Sequence, residues 1–554
     1  LIQERLRGLL AEAIEELRRD GVIPDGVTAL AELQRPARPE HGDFSTNVAL
    51  VLSGELHTPP RALADRIVQA LPDAGWVAKV TVAGPGFINF VLTHAWLQDT
   101  LRDIARLREN YGRWDSPDEA EGVKVERIQV EFVSANPTGP LHVGAGRNAA
   151  YGDALASLLE AAGRSVDREY YINDAGRQIE LFGRSLEARY LQALGREAEL
   201  PADGYAGRYL VDLGTELAEA QGVGLVGHPE EIRVWGVERM LESIKATLER
   251  FGVRFDTWFS EQVLHDTGKL TDALGRLQDA GVTYELDGAV WFRSTQFGDS
   301  RDRVLVRSDG RPTYLMSDTA YLIDKVERGF DHAVYVWGAD HHGAVASLEA
   351  VRRALDLPIV VEILLYQLVN LYSGGEVVRM SKRTGEIVTL DELIDEVGAD
   401  AARFTFLLRS LDGALDFDLD LVKAKSQENP VYYVQYAYAR ICSILRTGAE
   451  RGIALGPIEE APLAELVHES EQALARMLSE YPETVLVAAR LRAPHRLTTY
   501  TRELAALFHA FYRDCRVISD DPQLTQARLW LAEATRQVLA NALAVLGVSA
   551  PEKM

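Results

Sequence analysis

Only two cysteines occur in 554 residues, Cys442 and Cys515, far apart and with no C-x-x-C pair or histidine cluster beside them. A tetrahedral metal site needs four such ligands close together, so no structural zinc is expected. Long apolar runs are missing as well. Leu1 to Leu10 is partly apolar, but Glu4, Arg5 and Arg7 interrupt it, which excludes a secretory core or a membrane span there. No later stretch comes closer, and the expectation is a cytoplasmic protein with no membrane partner. Basic residues are also scarce: 59 Lys and Arg stand against 83 Asp and Glu, a formal charge of −24. Such a chain does not coat nucleic acid indiscriminately. A local basic groove remains compatible with it, because acidic surface elsewhere repels polyanions that fail to fit. Nothing repeats at a fixed period, and no low-complexity tract occurs.

What is present is an ordinary globular composition, 47% hydrophobic and 26% charged. The length exceeds what one hydrophobic core supports and predicts several domains. Residues 1–112 read as an α/β unit: a first helix, a polar centre at His41 to Asn47, a helix after Pro59 and Pro60, then strands at Val77 to Ala83 and Phe87 to Leu92. The acidic, turn-rich stretch Asn110 to Gly122 reads as a linker.

Residues 113–426 alternate short apolar strands with helices, the pattern of a parallel sheet. Strands are expected around Ile128 to Phe132, Ser165 to Ile172, Ala333 to Trp337 and Val360 to Tyr366, with a helix over Gly146 to Ala162. Between about residues 180 and 300 the pattern turns helical as far as about Ala280. A hairpin signal follows, Tyr284 to Phe292 across Asp287-Gly288. From about residue 427 to 554 only helical periodicity remains, broken near Gly456-Pro457. The predicted fold class is therefore a multidomain α/β protein with a Rossmann-type parallel-sheet domain, an N-terminal α/β domain and a C-terminal all-α bundle.

In the segment Ser134-Ala-Asn-Pro-Thr-Gly-Pro-Leu-His-Val-Gly-Ala-Gly-Arg147 a strand ends, a proline- and glycine-rich loop turns, and a helix begins near His142. This presents unpaired N–H groups and a positive dipole end to an anion. Gly144 lets a nucleotide approach the backbone, and His142 is placed to donate to a phosphate oxygen as charge develops. An isolated H-x-G is usually an unremarkable turn, and it is the surrounding residues that make this one informative.

A second element, Val378-Arg-Met-Ser-Lys-Arg-Thr-Gly385, follows an apparent hairpin at Ser373 to Gly375 and precedes a helix opened by a Thr389/Glu392 capping box. Met380, Ser381 and Lys382 lie on this loop, from which the lysine can reach the phosphates of ATP. Taken alone the loop is a solvated basic turn. Paired with the first element it forms the second half of a phosphate clamp. Asp340, His341 and His342 follow a strand, where a doubly wound sheet places its ligand crevice. Contiguous side chains diverge and rarely converge on one ion, so no metal is assigned to them.

The H-x-G turn paired with a late M-S-K resembles the two signatures of class I aminoacyl-tRNA synthetases. Tyr171 to Gly176, Gly338 to Gly343, Gly385 to Phe404 and Glu428 to Arg440 are similar to the bacterial type of the arginyl-tRNA synthetase family, and His41 to Asn47 resembles that family's added N-terminal domain. The resemblance implies activation of arginine with ATP and Mg²⁺ to the adenylate, then transfer to tRNA(Arg), with tRNA needed for the first step. It implies catalytic roles for His142 and Lys382, and ATP contacts from His142, Gly144, Asp340, His341, Met380, Ser381 and Lys382. It also implies an arginine pocket of Glu131, Ser134, Asn136, Tyr314 and Asp318.

A guanidinium is best told from an ammonium by paired carboxylates. Glu131 interrupts an apolar alternation, and Tyr314 and Asp318 fall one helical turn apart. On the C-terminal bundle, whose tyrosines Tyr432, Tyr433, Tyr436 and Tyr438 interleave with Arg440, the expectation is tRNA contact through Tyr436 and Arg440, with Met554 nearby. The N-terminal domain is expected at the tRNA elbow, and a monomer is expected.

Two departures from the family pattern stand out. Ala145 replaces the usual second histidine of the first signature, and Arg379 and Arg383 replace the lysine and serine of the general second one. A synthetase for another amino acid, a small-molecule adenylate-forming enzyme and a silent tRNA-binding relative are the alternatives.

Overall fold

A computed structural model describes residues 2–554 apart from Asp25, 28–32, Arg35, Ala37, 115–124 and 378–388. Met380, Ser381 and Lys382, and much of the expected linker, lie outside the described residues.

The N-terminal part begins with α1 (Ile2–Arg19), whose Leu6, Leu10, Ala13 and Leu17 recur every three or four residues and are buried. Strands β1 (Leu33–Gln34), β2 (Phe44–Thr46), β3 (Val77–Ala83) and β4 (Phe87–Leu92) form an antiparallel sheet in the order β1-β2-β4-β3. Helices α2 (Val48–Leu56) and α3 (Pro60–Ala70) connect its strands, and α4 (Ala95–Leu107) follows it.

The central part is built on β5 (Arg127–Glu131), β6 (Ser165–Ile172), β7 (Thr257–Ser260), β11 (His332–Gly338) and β12 (Val360–Tyr366). All pair in parallel, in the order β12-β11-β5-β6-β7. β11 runs Ala333 to Val336 as a continuous apolar segment buried on both faces, as a central parallel strand should. From β5 the chain moves outward through β6 to β7, and later through β11 to β12 on the other side. The crevice at the C-terminal ends of β5 and β11 is thus a topological switch point. The expected sheet is present with one strand more: β7 interrupts the helical stretch foreseen as far as Ala280. Four residues between two helices carry too little pattern to read as a strand.

Helix α5 (Val143–Ala161) connects β5 to β6, and α6 (Arg177–Ala193), α7 (Arg208–Gln221) and α8 (Pro229–Arg250) form a helical insertion with its own small core around Phe182, Leu186 and Leu210. Short helices α9 (Glu261–Asp266) and α10 (Lys269–Asp279) lead to β8 (Thr283–Leu286) and β9 (Ala289–Phe292), and β10 (Arg303–Val306) pairs with β9. The hairpin turn at Asp287-Gly288 has positive φ at both residues, as a two-residue hairpin requires. Helix α11 (Tyr314–Glu327) precedes β11, and α12 (His342–Ala354) lies between β11 and β12. The part ends with β13 (Val369–Ser373), β14 (Glu376–Val377), α13 (Leu390–Val397), α14 (Ala399–Phe406), β15 (Leu415–Asp418) and α15 (Leu419–Lys423).

The C-terminal bundle comprises α16 (Pro430–Glu450), α17 (Glu469–Arg490), α18 (His495–Asp514) and α19 (Pro522–Val545). Asn429 and Asp521 cap α16 and α19 with a proline at the first helical position, a common way to start a helix. The N-terminal part docks on this bundle. Tyr111, 2% exposed, donates to the Leu478 carbonyl at 3.0 Å, and the Trp114 indole donates to the Pro482 carbonyl at 3.1 Å. The stretch expected to be a linker therefore starts as a packed segment, with Tyr111 buried and Trp114 half-buried against α17. No described helix is long and apolar enough to cross a membrane.

Candidate functional site

The backbone leaves β5 through two residues in the left-handed region, Val133 at φ 66° and Ser134 at φ 43°. For a β-branched valine that conformation is strained, and such strain persists only where surrounding bonds over-determine it. Here those bonds are visible. The Asn148 side chain accepts from Val133 N at 3.0 Å and donates to the Val336 carbonyl at 3.0 Å, tying the ends of β5 and β11 to α5. The Ser134 hydroxyl accepts from Tyr171 N at 3.1 Å.

The loop then delivers His142, in extended conformation, to the N-cap position of α5. The first-turn N–H groups of this 19-residue helix face the crevice end. A Cβ on Gly144 would lie 2.8 Å from His142 Cε1, so the glycine makes room for the imidazole. Ala145 is buried at 6% exposure on the same turn.

The chain that follows the second signature meets the first at Thr389 and Leu390. His142 and Thr389 form an antiparallel bridge, and Leu390 N donates to the Leu141 carbonyl at 2.8 Å. Thr389 and Glu392 make the foreseen capping box at the start of α13. At its near end the segment leaves β14 at Val377. The base of that hairpin is tied to α5 by Arg147, 1% exposed, which donates to the carbonyls of Gln367 at 2.8 Å, Ser410 at 2.9 Å and Gly413 at 2.8 Å. Residues 378–388, with Lys382 among them, therefore start and end on structure attached to the His142 turn. Asp340 and His341 stand at the end of β11 with side chains 83% and 61% exposed, and the His341 ring lies 5.8 Å from that of Trp337.

Beside this lies a cluster of acids. Parallel register sets Tyr335, Glu131 and Glu169 in one row across β11, β5 and β6. Helix α11 and its C-cap residue Arg328 cover the row with two cations. Lys325 Nζ donates to Glu131 Oε2 at 2.8 Å, and Arg328 donates to both Glu169 oxygens at 2.6 and 2.8 Å. Tyr321 also donates to Glu169. Asp318, on the same helix, has acids for neighbours. Shielding from water, then Glu131, then Glu261 push its carboxyl up to about 7, while Lys325 pulls it down. Glu261 is itself raised by burial and accepts from the Ser317 hydroxyl at 2.8 Å.

Of the residues expected in the arginine pocket, the structure brings Glu131, Ser134 and Asp318 together. The Ser134 hydroxyl lies 3.5 Å from Glu131 Oε1. Asn136 is half-buried and held by the Gln178 side chain of α6. Tyr314 opens α11 one turn ahead of Asp318 and is 66% exposed. Glu261, Tyr171 and Lys325 escaped the sequence reading. No local signal set Lys325 apart, because α11 also carries Ser317, Thr319, Asp324 and Glu327 outside the line of Tyr314, Asp318, Tyr321 and Lys325.

On the bundle, Arg440 is sandwiched between Tyr436 and Tyr512, its guanidinium carbon 4.9 Å from each ring centroid. Both line a concavity of about 940 Å³ with Arg446, Arg516, Lys553 and Met554. Tyr438 is core at 6% exposure, whereas Tyr432, Tyr433 and Tyr436 are half-buried. Cys442 and Cys515 are both free thiols.

Family models match residues 4–92 (arginyl tRNA synthetase N terminal domain), 118–406 (tRNA synthetases class I (R), catalytic domain) and 434–554 (DALR anticodon binding domain). Over its full length the chain is 48% identical to an arginine-tRNA ligase of Heliobacterium modesticaldum, covering 99% of it. It is 49% identical to one of Syntrophotalea carbinolica, covering 100% of it. The solved structure of Thermus thermophilus arginyl-tRNA synthetase superposes with a TM-score of 0.77 at 24% identity, each chain covered completely, a likeness of fold.

Proposed function

The chain belongs to the arginyl-tRNA synthetase family, and on that premise we propose how its residues divide the work of charging tRNA. It is a class I, ATP-dependent arginine-tRNA ligase. The arginine carboxylate attacks the α-phosphorus of ATP as the bond to pyrophosphate breaks, and the terminal ribose hydroxyl of tRNA(Arg) then takes the arginyl group as AMP leaves.

His142, the N–H groups of α5 and Lys382 hold the phosphates, with Gly144, Met380 and Ser381 admitting the nucleotide and Asp340 and His341 at its ribose or phosphate edge. Donors fixed at the place where charge develops act on the transition state without reorganising. With no second imidazole at Ala145, His142 and Lys382 carry more of that load. Mg²⁺ enters as the companion of ATP. It would neutralise phosphate charge, with water and phosphate oxygens as most of its ligands, and no residue of the chain is assigned to it.

Arginine lies with its guanidinium toward Asp318 and Glu131, flanked by Tyr314, and with its other end toward Ser134 and Asn136. The observation that supports this best is the gathering of Glu131, Asp318 and Glu261 with Lys325 beside Glu131 and His265 beside Glu261, at the strand end from which the His142 loop departs. A cationic substrate relieves that excess of acid. Residues 1–112 are taken to touch the tRNA elbow, 113–426 to carry the chemistry, and 427–554 to meet the anticodon through Tyr436, Arg440 and Met554. A monomer in the cytoplasm completes the proposal.

The test is Asp318→Asn. Losing one charged partner of a guanidinium should raise KM for arginine about tenfold or more with KM for ATP little changed. Equal rises in both would contradict the pocket. In the wild-type enzyme kcat/KM for arginine should climb as pH rises through about 7, because Asp318 must lose its proton to meet the cation. Asp318→Asn should abolish that limb.

A further inference from the structure

Lys325 sits in the wall of a pocket meant for a cation. It is 0% exposed, its ammonium is 2.8 Å from Glu131 Oε2, and it lies 3.7 Å from the ring centroid of Tyr335 and 4.1 Å from that of Tyr321. Two aromatic faces and one carboxylate oxygen hold it in place. On the neighbouring strand Glu169 has a hydrogen-bonded partner of its own in Arg328, so the positive charge of Lys325, which Glu169 also feels, falls first on Glu131 and reaches Asp318 as well. A buried ion pair contributes little net stability compared with an apolar pair of the same volume. The main consequence of this one is for the charges next to it.

We propose that Lys325 is a positioning residue of the arginine pocket: it fixes one oxygen of Glu131, leaves the other for the ligand side, and offsets the repulsion between Glu131 and Asp318 so that Asp318 meets the guanidinium ionised. The inference rests on the assignment of Glu131 and Asp318 to that pocket. With one Glu131 oxygen held by an ammonium, a planar fork is left to span the remaining acceptors.

The groups that face Asp318 are Glu131 from β5, Glu261 from α9, Tyr171 from β6, Tyr335 from β11 and Lys325 from its own helix. Burial pushes both tyrosines up, so they stay neutral across the working range. The carboxylates all raise Asp318, and Lys325 is the neighbour that lowers it. Without Lys325, Asp318 would hold its proton to a higher pH.

The experiment uses full-length enzyme in ATP–pyrophosphate exchange with tRNA present, comparing wild type, Lys325→Met, Lys325→Arg and Asp318→Asn across pH. Lys325→Met should raise KM for arginine about tenfold, leave KM for ATP within about twofold, and move the acid limb of kcat/KM for arginine up by about one pH unit. Lys325→Arg, which keeps the charge, should return the limb to its wild-type place. If Lys325→Met does not fold, Lys325→Gln carries the same expectation, since it keeps a donor beside Glu131 and removes the charge.

An acid limb that stays in place, or KM values for arginine and ATP that rise together, overturns the proposal. If Asp318→Asn raises KM for arginine while Lys325→Met does not, the role of Lys325 alone fails. If Asp318→Asn has no effect, the pocket assignment itself fails, and this inference with it.

Discussion

At the scale of single residues, the site depends on how little room surrounds His142. The missing side chain of Gly144 is what allows the imidazole to lie over the start of α5, where a Cβ would come within 2.9 Å of Nδ1. Gly144→Ala should therefore displace the ring and lower the exchange rate about tenfold or more, while KM for arginine and the melting temperature stay close to wild type. Pyrophosphate exchange and a thermal melt check it, and an unchanged rate would show that the ring's position is not used. Glu131 was legible as a charge breaking an apolar strand, and His142 and Gly144 from their place between strand and helix. Lys325 was not. A lysine on a helix reads as solvated until the tertiary fold lays its face on Glu131, and nothing local announces a buried ammonium.

At the scale of elements, periodicity revealed the parallel sheet and the bundle because long runs of buried residues recur at regular spacing. It missed β7, which is strand by virtue of its pairing with β6. At the start of the stretch after α4, turn-rich composition hid the seats that Tyr111 and Trp114 find on α17. The tyrosines of α16 divide as helical geometry requires, with Tyr438 facing the core and Tyr436 turned toward the concavity. Arg440 is held there by Tyr436 and Tyr512 in a place suited to a phosphate or a stacked base. Arg440→Ala should lower kcat/KM for tRNA about tenfold and reduce the salt slope of tRNA binding by about one, with arginine and ATP constants unchanged. Charging assays across salt concentrations check it. A loss that also affects arginine would mean the bundle had been disturbed.

At the scale of the whole molecule, a chain with charge −24 gathers Arg440, Arg446, Arg451, Arg513 and Arg516 around one bundle concavity, the face we propose for tRNA, while acid elsewhere would limit unspecific contacts. The two signatures lie far apart in sequence and are joined by the sheet. β5 delivers His142, the β13–β14 hairpin leads into residues 378–388, and the pairing of Thr389 with His142 closes the circuit. The central claim is that this joint forms one phosphate clamp, with His142 on one side and Lys382 on the other. Arginine-dependent ATP–pyrophosphate exchange by Lys382→Ala, with tRNA present, tests it most directly. The clamp predicts a rate about a hundredfold or more below wild type with KM for arginine nearly unchanged, and a rate equal to wild type would contradict it.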